Sequence, residues 1–290
     1  MGGLDRDRAP DSVTARSADA GAPAYLAVFD LDGTLLASLE SSAPAPRVQA
    51  ALRQALAAGI GVTIASGRMF RSLRPLALDL GLQLPLICHQ GAWIQPPEAP
   101  APLLRRTLDP HVAAAALDLA ETQGWHVMVY AGEWLYLRSL KFAEVFYRDL
   151  LGEFKLVEEW EPVLQTQGVD KVLCVAEEAH IPYLMEQFAL RLQDQARVVR
   201  SHRFLMEVIP PGISKGAAVA WLAQSLGVPR EHVLAVGDQE NDLEMILWAG
   251  TGVAMGNAPD NVKAAADWVV PPVEEDGAAV ALERWLRGLP

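Results

Sequence analysis

Short, almost wholly apolar segments alternate with amphipathic ones along this chain, and a proline-rich run breaks the alternation before it resumes. Residues 25–29, 60–65 and 84–88 read as strands buried on both faces, as happens where helices cover a sheet from either side. Between them, 46–58 and 69–80 read as helices. Pro44 and Pro46 introduce the first, Val48, Leu52, Ala55 and Leu56 share one of its faces, and Gly59 closes it. Gly81 closes the second. Strands and helices in strict alternation with short connections fit a parallel sheet built by right-handed crossovers.

The alternation stops at Gln95-Pro96-Pro97-Glu98-Ala99-Pro100-Ala101-Pro102, which continues neither regular structure and reads as a domain edge. Beyond it the order changes. A helix over 110–123 precedes strands at 125–130 and 134–137, joined through Ala131-Gly132-Glu133, a hairpin signal. A helix over 140–151, a strand at 169–176, a helix over 179–194 and strands at 197–201 and 204–209 follow. Helices with hairpins predict a mixed α+β unit. After Pro210-Pro211-Gly212 the first rhythm returns: helices over 214–226, 240–249, 259–265 and 277–287, with strands at 233–236, 252–255 and 268–270. The expected organisation is an α/β core of residues 23–106 and 210–290, interrupted by an inserted unit of 107–209. Residues 1–22 mix Asp, Arg, Ala, Gly and Ser without a hydrophobic block and read as a disordered leader, not as a signal or transit peptide.

Bulk properties narrow the partners. A hydrophobic fraction of 51% with 21% charged residues belongs to a globular protein with a substantial core. The formal charge of −12 argues against nucleic acid, whose binding needs Lys and Arg on phosphates. It leaves room for a small phosphorylated ligand, because a bound cation reverses the local field. No apolar stretch approaches the roughly 18–20 residues needed to span a bilayer. Cys88 and Cys174 both lie in apolar runs, which suggests buried thiols in a reducing compartment and a cytoplasmic protein.

Ligands of open α/β sheets bind at the carboxyl ends of the strands. Four polar clusters fall there: Asp30-Leu31-Asp32-Gly33-Thr34, Ser66-Gly67-Arg68, the helix entrance bearing Lys215, and Gly237-Asp238 followed by Asn241-Asp242. Strand alternation lets Asp30 and Asp32 point the same way. Two acids so close repel unless a cation or a shared proton relieves them. A nucleophile, a proton carrier, a hydroxyl, an ammonium and further carboxylates are the groups that phosphoryl transfer requires.

In this order the clusters resemble the four motifs of the haloacid dehalogenase superfamily. The long interval from Ser66 to Lys215 resembles the C2 cap of its Cof-type phosphatases. Glu207-Val208-Ile209-Pro210-Pro211-Gly212-Ile213-Ser214-Lys215-Gly216 is similar to that group's return from cap to core. One stretch departs: His89-Gln90-Gly91-Ala92 stands where the group usually has Asn-Gly-Ala. The resemblance implies a Rossmann-like core with an inserted α+β cap and Mg2+ as cofactor. It implies Asp30 as nucleophile and Asp32 as acid and base, with Asp30, Asp32, Asp238, Asn241 and Asp242 around the metal. Ser66, the Gly67 amide and Lys215 would hold the phosphoryl group. In the inserted unit, Trp125, Trp134, Tyr136, Arg138, His202, Arg203 and Glu207 are candidates to face the site, with Arg138, Arg203 and Glu207 foremost for specificity. The reading is a phosphatase acting on a small phosphorylated metabolite, a sugar phosphate among the candidates. A phosphomutase and a non-catalytic phosphate-binding regulator are the alternatives.

Overall fold

The computed structural model describes residues 22–38, 41–141 and 153–289. The expected leader lies outside these residues except for residue 22, as does the expected helix over 140–151 beyond residue 141.

A five-stranded parallel sheet forms the centre. Its strands are β1 (Leu26–Phe29), β2 (Gly61–Ile64), β12 (Val233–Gly237), β13 (Thr251–Ala254) and β14 (Trp268–Val269), in the order β14-β13-β12-β1-β2. Alternate residues of β1 feed opposite layers. Ala27 and Phe29 pack under α1 (Pro46–Ala57), α2 (Phe70–Asp79) and α9 (Gly277–Arg287). Leu26 and Val28 pack under α6 (Lys215–Leu226) and α7 (Leu243–Trp248). Burial on both faces explains why these strands are apolar throughout. A short helix, α8 (Asp260–Ala265), joins β13 to β14.

A second, six-stranded sheet has the order β10-β11-β9-β6-β7-β8. It comprises β6 (His126–Ala131), β7 (Trp134–Leu137), β8 (Phe154–Leu156), β9 (Val169–Val175), β10 (Arg197–His202) and β11 (Leu205–Ile209). The pairs are antiparallel except β7 with β8. On one face, Val127, Val129, Val172, Cys174, Met206 and Val208 meet α3 (Pro110–Thr122) and α5 (Ile181–Leu192). On the other, Met128, Tyr130, Leu135, Leu137, Leu173 and Leu205 cluster with Met69, which comes from the segment leading into α2. That second face is therefore turned towards the parallel sheet's active edge.

Two expectations need correction. Residues 84–88 do not simply extend the parallel sheet. β3 (Leu86–Cys88) touches it through a single bridge, Ala65 to Ile87, and otherwise pairs antiparallel with β4 (Trp93–Gln95). The proline-rich run is not a domain edge but the connection between β4 and β5 (Leu104–Arg105), which pair antiparallel. Proline excludes ladder bonds inside the run but tolerates a hairpin loop, so the composition marked a turn. The short β8 and α4 (Glu161–Thr166) lay in an acidic stretch without a legible period.

Candidate active site

Phe29 pairs in register with Val236 and with Ile64, so β1, β12 and β2 end side by side. Asp30, Asp238 and Ser66 leave these neighbouring strands at one edge. The Asp30 amide donates to the Val236 carbonyl at 2.8 Å and the Ser66 amide to that of Ile87 at 2.8 Å. Lys215, the first residue of α6, enters from beyond. Its Nζ donates to Asp30 Oδ1 at 2.5 Å and to Asp242 Oδ1 at 2.6 Å. Ser214 caps the helix by accepting from the Ala217 amide at 3.0 Å. A helix N-terminus disfavours a cation; here two carboxylates outweigh that penalty.

Asp30, Asp238 and Asp242 are buried, and each offers an oxygen within 4.8 Å of the others. Burial pushes Asp30 well above the usual carboxylate range, repulsion from Asp242 adds to it, and Lys215 opposes it. Asp238 rises to about 6, through burial and then through Asp242. Burial pulls the Lys215 ammonium down, but Asp242 and Asp30 hold it above its ordinary value. Three buried carboxylates thus face one ammonium. A hard divalent cation with oxygen preference fits both the donor set and the missing positive charge, so these residues fit Mg2+.

The three acids are not equivalent. Asp242 Oδ2 accepts from the amides of Asp238 and Gln239, both at 2.9 Å, while its Oδ1 takes Lys215. It therefore shapes the loop and orients the lysine. Asp238 is held by Thr34 Oγ1 at 3.1 Å, Gln239 Nε2 at 3.1 Å and Asn257 Nδ2 at 3.2 Å. Gly33, at φ +90°, lies so close that a Cβ would overlap the Asp238 carboxylate. Gly33→Ala is expected to cost about 1–3 kcal/mol from left-handed backbone strain and to displace Asp238. Thermal melting together with Mg2+ titration by calorimetry checks both effects; an unchanged Mg2+ affinity would dissociate Asp238 from the metal.

Asp30 and Asp32 lie beyond the last residue of β1, so strand alternation does not set their directions. A tight loop does, closed by Gly33 N to Leu36 O at 2.8 Å and Leu35 N to Leu31 O at 2.9 Å. Asp32 forms a bidentate pair with Arg68, whose Nε donates to Oδ2 at 2.9 Å and Nη2 to Oδ1 at 2.5 Å. Asp30 is buried against Lys215, whereas Asp32 and Arg68 keep 23% and 20% of their side-chain surfaces exposed. The two acids are chemically distinct: one in a dry cluster, one at the opening beside a fixed guanidinium. Ser66 is buried, and its Oγ accepts from the Arg68 amide at 3.1 Å.

The other expected residues divide. Asn241 Nδ2 donates to Gln90 Oε1 at 2.9 Å, so this amide holds a neighbouring loop; its Oδ1 is buried and meets no partner among the described residues. Glu207 does reach the Ser66-Gly67-Arg68 loop: a Cβ on Gly67 would lie 3.3 Å from its Oε1. Arg138 does not. Following Tyr136 on the helical side of the sheet, it pairs with Glu121 of α3 at 3.1 Å, because β7 alternation sends even positions away from the core-facing side. Trp125 and Tyr136 also pack on the helical side. Trp134 lies under Arg71 and Lys155, at 4.5 and 3.8 Å from the ring centroid. Arg203 is exposed at the β10–β11 turn, where its carbonyl accepts from Arg200. His202 of the same turn feels Asp32 electrostatically, a smaller influence than the burial that lowers its pKa.

Sequence reading missed Lys171, Gln90, Asn257 and the role of Arg68. Lys171 left one trace, a cation inside the apolar run Val169-Asp170-Lys171-Val172-Leu173. Such a residue is expected at the surface, and only the second sheet's packing on Gly67 shows why it is buried.

Comparison with known proteins agrees with this geometry. The family model for haloacid dehalogenase-like hydrolases matches residues 27–282. The HMP-PP phosphatase of Serratia proteamaculans is 31% identical over 90% of this chain and 95% of its own length. The 5-amino-6-(5-phospho-D-ribitylamino)uracil phosphatase YitU of Bacillus subtilis is 29% identical over 90% of this chain and 97% of its own. Among solved structures, a haloacid dehalogenase-like hydrolase from Bacteroides thetaiotaomicron superposes with a TM-score of 0.78 at 30% identity, covering 90% of this chain and 99% of that one. Among the described residues, no helix is long and apolar enough to cross a membrane.

Proposed function

The chain belongs to the haloacid dehalogenase-like hydrolases as a Cof-type phosphoric monoester hydrolase, and on that premise we propose a Mg2+-dependent phosphatase working through Asp30. The observation that carries the reading is Lys215 Nζ lying between Asp30 and Asp242, with Asp238 alongside. An Asp30 oxygen attacks phosphorus and forms an aspartyl-phosphate as the bond to the leaving oxygen breaks. Asp32, entering protonated with one oxygen freed from Arg68, gives the leaving oxygen its proton and so returns to the bidentate carboxylate pair. It then takes one from the incoming water, which attacks phosphorus, releases orthophosphate and restores Asp30. Lys215, Ser66 Oγ and the Gly67 N–H bind the phosphoryl oxygens. Arg68 holds Asp32 at the opening, where leaving group and water both pass. Asp30 and Asp238, with the main chain of Asp32 and the neighbouring Asn241 and Asp242, would hold Mg2+, which when bound supplies positive charge for the phosphoryl oxygens and keeps Asp30 ionised.

On this reading residues 23–106 and 210–290 form the catalytic core, and 107–209 form a cap that covers the site and selects a small phosphorylated metabolite. Purified protein with Mg2+ is expected to release orthophosphate from p-nitrophenyl phosphate and from a metabolite-phosphate panel. EDTA should abolish release and excess Mg2+ restore it. No release from any substrate would reject the reading, and an isomerised sugar phosphate in place of free phosphate would favour a mutase.

A further inference from the structure

The polar chain between the two sheets ends on Gly67, the residue whose N–H the proposed reaction uses for phosphoryl binding. Lys171 of β9 and Glu207 of β11 lie on the core-facing side of the second sheet, 3% and 2% exposed. Lys171 Nζ donates to the Gly67 carbonyl at 2.8 Å and to Glu207 Oε2 at 3.0 Å, with the Tyr130 ring 4.6 Å beneath it. Gln90 Nε2 donates to Glu207 Oε1 at 3.2 Å, and Gln90 Oε1 accepts from Asn241 at 2.9 Å. A Cβ on Gly67 would come within 2.5 Å of Gln90 Nε2. The Gly67 N–H, in contrast, donates to nothing among the described residues.

Local backbone strain accompanies this arrangement. His89 and Gln90 adopt φ of +49° and +60°, in the left-handed region that side chains other than glycine, asparagine and aspartate seldom enter. Their amides donate to the carbonyls of Arg68 at 3.0 Å and Ser66 at 3.1 Å, tying the strained turn to the Ser66-Gly67-Arg68 loop. The His89 ring is fully buried with neither nitrogen partnered among the described residues. Strain and unpaired polar atoms persist where the surroundings over-determine a geometry. Here the geometry so held is Gln90 between Glu207 and Asn241.

We infer that Gln90, Lys171 and Glu207 are positioning residues: Lys171, braced by Glu207, holds the Gly67 carbonyl from the second sheet, Gln90 holds the Ser66 carbonyl from the strained turn, and together they aim the Gly67 N–H at the phosphoryl group. The inference rests on the phosphatase reading. The Gly67 N–H shares its rigid peptide plane with the Ser66 carbonyl, which the Gln90 amide holds at 3.1 Å, and the next plane carries the Gly67 carbonyl, which Lys171 holds at 2.8 Å. With both planes held the glycine cannot turn, and phosphoryl affinity then depends on residues that never touch the substrate.

The test is orthophosphate binding by calorimetry and orthovanadate inhibition, with Mg2+ present, for Gln90→Asn, Glu207→Gln and Lys171→Met. Asparagine suits the left-handed backbone but is one methylene shorter and cannot span Glu207 and Asn241. Gln90→Asn is therefore expected to keep or raise the melting midpoint while weakening orthophosphate binding about tenfold, the equivalent of one well-made hydrogen bond. Glu207→Gln should weaken it by at least as much, because it leaves Lys171 without its counter-charge. A merely structural role would make binding track the melting midpoint, and that result would overturn the inference. So would folded variants that bind orthophosphate like the wild type. A wild type that neither binds orthophosphate nor releases it from any substrate would reject the phosphatase reading and this inference together; an active wild type with unaffected variants rejects this inference alone.

Discussion

Asp30→Asn is expected to reduce kcat by at least about 10^4-fold, the scale of losing a catalytic nucleophile, while raising the melting midpoint of the metal-free protein. The two effects have one origin. Burial and the neighbouring Asp242 and Asp238 carboxylates push Asp30 towards its neutral form more strongly than Lys215 favours the charged one. A group whose folded pKa lies above its unfolded value costs stability as pH rises through the folded pKa. The asparagine carries no such cost, so the stability gain should grow with pH. Mg2+ should narrow the gap, because the cation stabilises wild-type Asp30. Turnover assays and melting curves across pH, with EDTA and with Mg2+, check this. Retained turnover would reject Asp30 as the nucleophile, and a lower midpoint in EDTA would reject the crowded-charge account.

Lys215→Met is expected to be the more damaging change to the fold. Removing one partner of a buried ionic cluster leaves the others unpaired and costs about 3–5 kcal/mol, a fall of about 6–20 °C in midpoint at 2–4 °C per kcal/mol. The side chain is 1% exposed and bridges Asp30 and Asp242 at 2.5 and 2.6 Å, so no water can replace it directly. On the proposed mechanism activity should fall with it, by about 10^2–10^3-fold, the scale of losing one charged group from the transition state. Adding Asp30→Asn should restore part of the lost stability by removing one of the stranded charges. A Lys215→Met protein that melts within about 2 °C of wild type would show that the cluster is held by other means.

Much of this was legible in the chain itself. Apolar runs ending in Asp30, Ser66 and Asp238 marked parallel strands and their active ends, since a strand covered on both faces has no polar positions until it leaves the sheet. The α+β character of 107–209 was legible from its hairpins. The proline-rich run misled, because proline reports only that ladder bonds stop, which is true at a hairpin loop as at a domain edge. Asp32 was seen, but not its ion pair with Arg68, because its direction is set by the loop closed at Leu36 rather than by strand period.

The sequence alone determined the order of the motifs, the residue types at the strand ends and hence the class of chemistry, because these depend on local period and on which atoms a side chain carries. Only the tertiary structure decided which carboxylates share a dry cluster and which is held at the opening, that Arg138 turns away while Glu207 turns in, and that Lys171 grips Gly67 across 104 residues. Those outcomes rest on contacts between segments far apart in the chain, where burial and pairing, not local pattern, set direction and charge state.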